Sequence, residues 1–397
     1  MNKRDIKHTK VIPSVQVRTA LLSLLEEQLP LGIDGRVVDD ATVWDILLYA
    51  SVQGTTIEGA CTELHTASGN TVREHLTAAL DETPPGLLDL EQQLNQLLGA
   101  QLPQRFRHRF ATQRFDIAID LVELPYHGQS QCDPKEVRRS KAKSGTTHFH
   151  VYATLALVHA QERYELALTF VLAKENLPDV VDRLILRAKA LGLRIRHAYL
   201  DKGFCSSAMF RYLRCHRIPY VIPVPLRGQA LKALCHGSRG RRVRYTFNAG
   251  TAEAYTTDLV LVRKYRAGRR GKHGVEWLVY AVYGVDGIPP LQIHELYRRR
   301  FGIESGYRQM HQVRAWTTSR NPALRLVLVG LALLIFNVYL ALRQFCLTVH
   351  HFGQRTERVW LTLHRLACLL TRLIEQVHGV TPIHQVAHSQ FDVLSIS

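Results

Sequence analysis

"FHVYATLALVHAQERYELALTFVLA", residues 149–173, contains two strand-like runs with almost nothing between them. Both are dense in aliphatic, aromatic and β-branched residues. A join this short forces neighbouring strands to run antiparallel, because a parallel return needs a crossover of a dozen or more residues. The stretch therefore predicts a hairpin. Upstream, "FDIAIDLVEL" (115–124) is a further strand. Downstream, "NLPDVVDRLILRAKALGL" is an amphipathic helix ending at Gly192, "IRHAYLDKGF" a buried strand, "SSAMFRYLRCHR" a helix and "IPYVIPVP" a strand. Strand, hairpin, helix, strand, helix, strand predicts an α/β fold: a mixed sheet with helices on its faces.

The flanks change character. From 226 to 289, "RRVRYTFNAG", "AYTTDLVLVRKY" and "VEWLVYAVYG" are β-rich and joined by Gly-rich or basic turns. They predict a β-rich insertion before helix returns at "PPLQIHELYRRRFGIESGYRQMHQV". Residues 1–105 are mostly helical, with a buried stripe at Val43, Ile46, Leu47 and Ala50. Thr55 with Glu58 and Thr71 with Glu74 have capping-box spacing, and "HTASGN" is a small-residue turn between the two helices. Helix, turn, helix is a DNA-reading shape, with the second helix starting at Thr71 and carrying Arg73 and His75, although such hairpins serve every function. The chain thus divides into a helical domain with the helix-turn-helix-like element (1–105), a first part of the α/β domain (106–225), the β-rich insertion (226–289), the completion of the α/β domain (290–350) and a helical C-terminal region (351–397) that could serve dimerisation.

Composition bounds the partner. Lys and Arg number 51 against 34 Asp and Glu, a formal +17 in 397 residues. A chain this basic suits a polyanion, most often nucleic acid. Seven scattered cysteines without a C-x-x-C pair argue against a disulfide framework or zinc knuckle and fit a reducing cytoplasm. No signal peptide is readable. "LVLVGLALLIFNVYLAL" (326–342) reaches the lower length limit of a bilayer span, but Asn337, Tyr339 and its basic approach favour a helix buried in a large core.

Acids in apolar or basic surroundings mark the candidate site. Asp120 lies inside the strand 115–124, and Asp201 ends the strand "HAYLDKGF" before a Lys-Gly turn. Glu304 sits in "YRRRFGIESGYRQMHQVRAWTTSR" (297–320) among arginines. If that segment is helical, Tyr297, Arg300, Glu304, Arg308 and His311 share one face. Each acid alone suits a hydrogen-bonded core residue or an intrahelical ion pair. Three together suit hard-oxygen ligands for Mg²⁺ or Mn²⁺, and two such ions about 3.5–4 Å apart stabilise phosphodiester displacement. The arginines would then hold phosphates.

Tyr297, Arg300, Glu304 and His311 have the spacing of the Y-x2-R-x3-E-x6-K signature, and on these residues the chain resembles the IS-four-type DDE transposases. "AIDLVELPYHG" resembles the family's first-aspartate strand and "AYLDKGF" its second. The β-rich insertion and the apolar helix after the signature are also similar, over residues 110–345. The resemblance implies a ribonuclease-H-like catalytic fold and a triad of Asp120, Asp201 and Glu304. It also implies two Mg²⁺ ions per site (Mn²⁺ substituting) and cleavage and strand transfer at the inverted-repeat ends of an insertion sequence. A homodimer would hold two element ends and target DNA, in a bacterial or archaeal cytoplasm. Tyr297, Arg300, Arg308, His311, Lys202 and Arg73 would contact DNA. One departure stands out: His311 replaces the signature lysine, and imidazole is largely neutral at pH 7 unless an acid or phosphate raises its pKa. A metal-dependent nuclease or resolvase on the same fold, and a catalytically silent DNA-binding relative, are the alternatives.

Overall fold

The computed structural model describes residues 14–131, 133–159, 162–265, 274–300, 306, 308–345, 348–349, 358–359 and 361–380. The hairpin forms as β3 (Thr146–His159) and β4 (Glu162–Val171), antiparallel over Val151–His159. β1 (Arg114–Tyr126) takes the other edge of β3, also antiparallel. β5 (Arg194–Leu200) then pairs parallel with β1, and β6 (Tyr220–Pro223) parallel with β5. Helices α7 (Leu177–Ala190) and α8 (Ser207–Cys215) make the two crossovers. The order β4-β3-β1-β5-β6, three antiparallel strands followed by two parallel ones, is the ribonuclease-H-like arrangement expected from the sequence.

The strands of the β-rich segment do not build a separate sheet. β9 (Val275–Tyr283) pairs antiparallel with β6, and β8 (Tyr255–Tyr265) and β7 (Arg241–Phe247) continue outward. The result is one nine-stranded mixed sheet. The basic hairpin tip at 267–274 lies outside the described residues except for Gly274. Within the basic segment 133–148, β2 (Arg138–Lys143) pairs with the start of β3.

Among the described residues, six helices precede the sheet: α1 (Ser14–Gln28), α2 (Asp40–Gln53), α3 (Ile57–Glu63), α4 (Gly69–Ala79), α5 (Pro84–Ala100) and α6 (Gln104–Phe110). Single caps form at neighbouring positions in place of the expected capping boxes. Thr56, not Thr55, caps α3 by accepting from Gly59 N, and Ser68, not Thr71, caps α4 by accepting from Thr71 N. Runs such as Thr55-Thr56 and Ser68-Gly69-Asn70-Thr71 hold several competent caps, and the register of the buried face selects among them.

These helices share the core of the sheet. α5 packs on β4 and on the apolar helix Pro322–Phe345, while α2 packs against the C-terminal helix Leu363–Val377. The latter's apolar stripe, with Leu366, Leu370 and Ile374, is buried within the chain. Asp45 ties the same elements together by accepting from Arg18 Nε at 2.8 Å and contacting His378 Nε2 at 3.1 Å. The apolar helix is long enough to cross a bilayer, but every residue from Pro322 to Asn337 is buried inside the protein. The sheet's second face is smaller: Ala118, Tyr199, Val221 and Tyr280 lie beneath Ile293 and Tyr297 of α10 (Pro290–Arg298).

Candidate active site

Parallel pairing of β1 with β5 brings the two aspartates together. The last registered pair is Ile119 with Leu200, so Asp120 and Asp201 emerge side by side where the strands end their ladder. Side chains alternate along a strand, which places Asp116, Ala118 and Asp120 on the face beneath α10, while Ile117 and Ile119 point into the main core. Asp120 is 9 % exposed, and its Oδ1 accepts from Leu121 N at 2.9 Å. Asp201 is partly exposed and caps the short turn Lys202–Phe204, accepting from Gly203 N at 3.4 Å.

Arg300 joins them. One guanidinium nitrogen, Nη2, lies 2.9 Å from Asp201 Oδ1 and 3.4 Å from Asp120 Oδ2. Only 2 % of Arg300 is exposed, and its guanidinium stands over the Tyr297 ring at 5.6 Å. α10 fixes this placement. Its last residues are held from β4, where Arg163 donates to Arg299 O from Nε at 3.2 Å and from Nη2 at 2.8 Å. Cations at a helix C-terminus satisfy its free carbonyls. Burial pushes the Tyr297 hydroxyl well above the ordinary range, the Arg300 cation notwithstanding, so it stays protonated.

The expected shared helical face is not what the described residues show. α10 ends at Arg298 and turns, with Arg300 N donating to Tyr297 O at 2.9 Å. Tyr297 and Arg300 are buried, whereas Arg308 and His311 are exposed. Glu304 lies outside the described residues. His311 opens a short 3-10 turn, and its pKa is lowered by packing against the fold and by the Arg314 cation. Lys202 is exposed beside Asp201. Arg73 sits far along the chain on α4, ion-paired to Glu58 at 3.4 Å and hydrogen-bonded to Asn70.

Two adjacent carboxylates are hard oxygen donors, and this pair already encloses a cationic nitrogen, so the donor set suits a divalent ion. No cluster of three or more metal-ligating side chains occurs among the described residues. Asp116, four residues before Asp120, is committed elsewhere. It accepts from Arg196 Nε at 2.7 Å and contacts His197 Nδ1 at 3.0 Å. Burial alone would raise its pKa, but these bonds outweigh it and hold the carboxylate ionised.

Sequence reasoning missed two further features. Glu165 of β4 is fully buried, and burial, reinforced by the charge of Asp120, pushes its pKa up to about 8. Its strand pattern reads as a solvent-facing acid, and no sequence signal marks it otherwise. Trp316 follows the 3-10 turn and is 67 % exposed, although its backbone N donates to Thr55 O at 2.9 Å. A tryptophan between Arg314 and Arg320 was a readable signal for a contact surface.

The family described as "Transposase DDE domain" matches residues 114–338, from the first residue of β1 into the apolar helix. The chain belongs to this family of DDE transposases. Its members' chemistry is polynucleotidyl transfer or nucleolytic cleavage. The matched span contains Asp120, Asp201 and Glu304. Among solved structures, this transposase is similar to the piggyBac transposase synaptic complex with hairpin DNA, determined by cryo-EM. The identity is 13 %, covering 96 % of this chain and 76 % of that one, with a TM-score of 0.47. No curated protein matches the chain.

Proposed function

We propose that this transposase cuts and joins DNA at the inverted-repeat ends of an insertion sequence of the IS-four type. Asp120 and Asp201, with Glu304, would hold two Mg²⁺ ions, with Mn²⁺ able to substitute. Bound there, the ions lower the charge barrier at the attacking and leaving oxygens of a phosphodiester. The single observation behind the reading is that Asp120 and Asp201, 81 residues apart in sequence, meet at one cationic nitrogen within the span matched to the family.

The chain's own groups would do the rest. Asp120 is rigid, held by a backbone amide and by the β1 ladder, while Asp201 keeps an edge open to substrate. Lys202, Arg308 and His311 are exposed and would reach the backbone of the scissile strand, with Tyr297 and Arg300 buried behind the acids. DNA as partner accords with the +17 charge and with the DNA named in the piggyBac complex. The α3–α4 pair would enter a major groove through Arg73, and a homodimer would synapse two ends in a bacterial or archaeal cytoplasm.

The deciding experiment incubates the protein with DNA carrying the sequences that flank its own gene, with Mg²⁺, and maps cut ends and joined products. Cut and joined ends are expected. Cutting without joining would identify a nuclease or resolvase. Binding without cutting would identify a silent DNA-binding relative.

A further inference from the structure

We propose that Arg300 is the resident counter-ion of the acid pair in the metal-free protein and gives way when divalent ions enter, so that arginine and metal exclude one another. The inference rests on reading Asp120 and Asp201 as metal ligands. Two carboxylates at adjacent strand ends, one of them nearly buried, repel each other and favour protonation or disorder unless a cation lies between them. Arg300 supplies that cation. A single nitrogen touches an oxygen of each aspartate at 2.9 and 3.4 Å, and the group that carries it is 2 % exposed.

That nitrogen occupies the space from which both carboxylates can be reached. A divalent ion bound to the same two oxygens would meet a positive guanidinium at contact distance, which is unfavourable in a poorly hydrated site. Its guanidinium lies over the Tyr297 face, and α10 ends two residues earlier. A released guanidinium is a bidentate phosphate donor. Metal entry would thereby hand Arg300 from the enzyme's acids to the DNA backbone, preordering the acids before the ions arrive and freeing a DNA contact afterwards.

Mn²⁺ binding measured by calorimetry tests this, with Asp120→Asn as the background for unrelated acidic sites. Arg300→Gln, which removes the charge and shortens the side chain but keeps a polar amide, is expected to bind Mn²⁺ about tenfold tighter than wild type, within the usual range of site coupling. Its metal-free unfolding midpoint should fall and its metal-induced rise should grow. Equal or weaker Mn²⁺ binding in Arg300→Gln overturns the inference and leaves the two-metal reading standing. No binding above background by either protein overturns both. Wild type provides a check that does not depend on the variant folding. Phenylglyoxal modification of Arg300, mapped by mass spectrometry, should be slow without metal and faster with Mg²⁺. Unchanged protection overturns the displacement.

Discussion

Asn337, in the middle of the apolar helix, pairs with both backbone groups of Glu165. Its Oδ1 accepts from Glu165 N at 3.0 Å, and its Nδ2 donates to Glu165 O at 2.8 Å. Asn95 of α5 does the same for Leu168, accepting at 2.7 Å and donating at 2.9 Å. β4 is the strand beyond β3, and two side-chain amides stand in for the neighbour that it lacks. The polar residue inside the most apolar segment of the chain is thus explained by the sheet edge that the segment covers.

Replacing either amide should cost stability out of proportion to its size. Asn337→Leu or Asn95→Leu leaves one buried N–H and one buried C=O unpaired, about 2–4 kcal/mol in each case. Denaturant midpoints measure this. A loss under about 0.5 kcal/mol, the ordinary level for a neutral surface change, would mean that β4 finds other partners.

Two buried groups shape the pH dependence of stability in opposite senses. Glu165, ordinarily near 4.5, holds its proton to about 8 in the folded protein. Between these values only the unfolded chain has lost the proton, so stability falls as pH rises. His150 is pushed down to about 3 from 6.5 by burial and by the Arg325 cation. Between those values only the unfolded chain is protonated, so stability rises with pH. Each slope is about 1.4 kcal/mol per pH unit. They cancel from 4.5 to 6.5, and Glu165 alone acts from 6.5 to 8. Glu165→Gln should abolish the decline from 6.5 to 8 and reveal a rising limb up to 6.5. A wild-type decline that persists in the variant would assign it to another group.

Asp120→Asn and Asp201→Asn should each lower DNA cleavage by about three orders of magnitude, the scale of several kcal/mol of transition-state stabilisation. Affinity for end DNA should change little, because binding rests on phosphate contacts. Cleavage and gel-shift assays on the same preparations separate the two effects. Parallel loss of binding would show that the acids organise the DNA surface rather than the chemistry.

The N-terminal helices call for point changes rather than deletion. α5 and the apolar helix pack together and α5 covers β4, so removing residues 1–105 would open the shared core. If α4 reads DNA, Arg73→Ala should weaken end binding and reduce the salt slope by about one phosphate contact. An unchanged slope would move recognition off α4.

Local patterns made much of this legible. The 149–173 hairpin followed from its short join, and the three acids were marked by their apolar or basic surroundings, whereas the parallel pairing of β1 with β5 that brings Asp120 to Asp201 came only with the fold. What escaped was set by tertiary register. Periodicity extended a single helix through Tyr297, Arg300 and His311, but α10 ends at Arg298, and the turn after it drives Arg300 inward between the acids. Glu165 reads as a solvent-facing acid until the packing of the apolar helix against β4 is known. The cap residues slipped because neighbouring hydroxyls are chemically equivalent until the buried face chooses one.

His311 tests how far the signature position keeps its role. Its exposed edge could meet a phosphate, yet packing and the Arg314 cation lower its pKa, so the ring is neutral at pH 7–8, where a lysine would be charged. Protonation adds a second N–H donor and a charge, but only as pH falls below 6.5. End binding by wild type and His311→Ala should therefore coincide at pH 7–8 and diverge toward pH 5.5, with wild type tighter. His311→Lys should bind more tightly than both at pH 8, by severalfold if it gains one phosphate contact. Titrating the three proteins against end DNA across this range is the measurement. A wild-type advantage over alanine that is constant with pH would show that the imidazole acts through packing and not through charge.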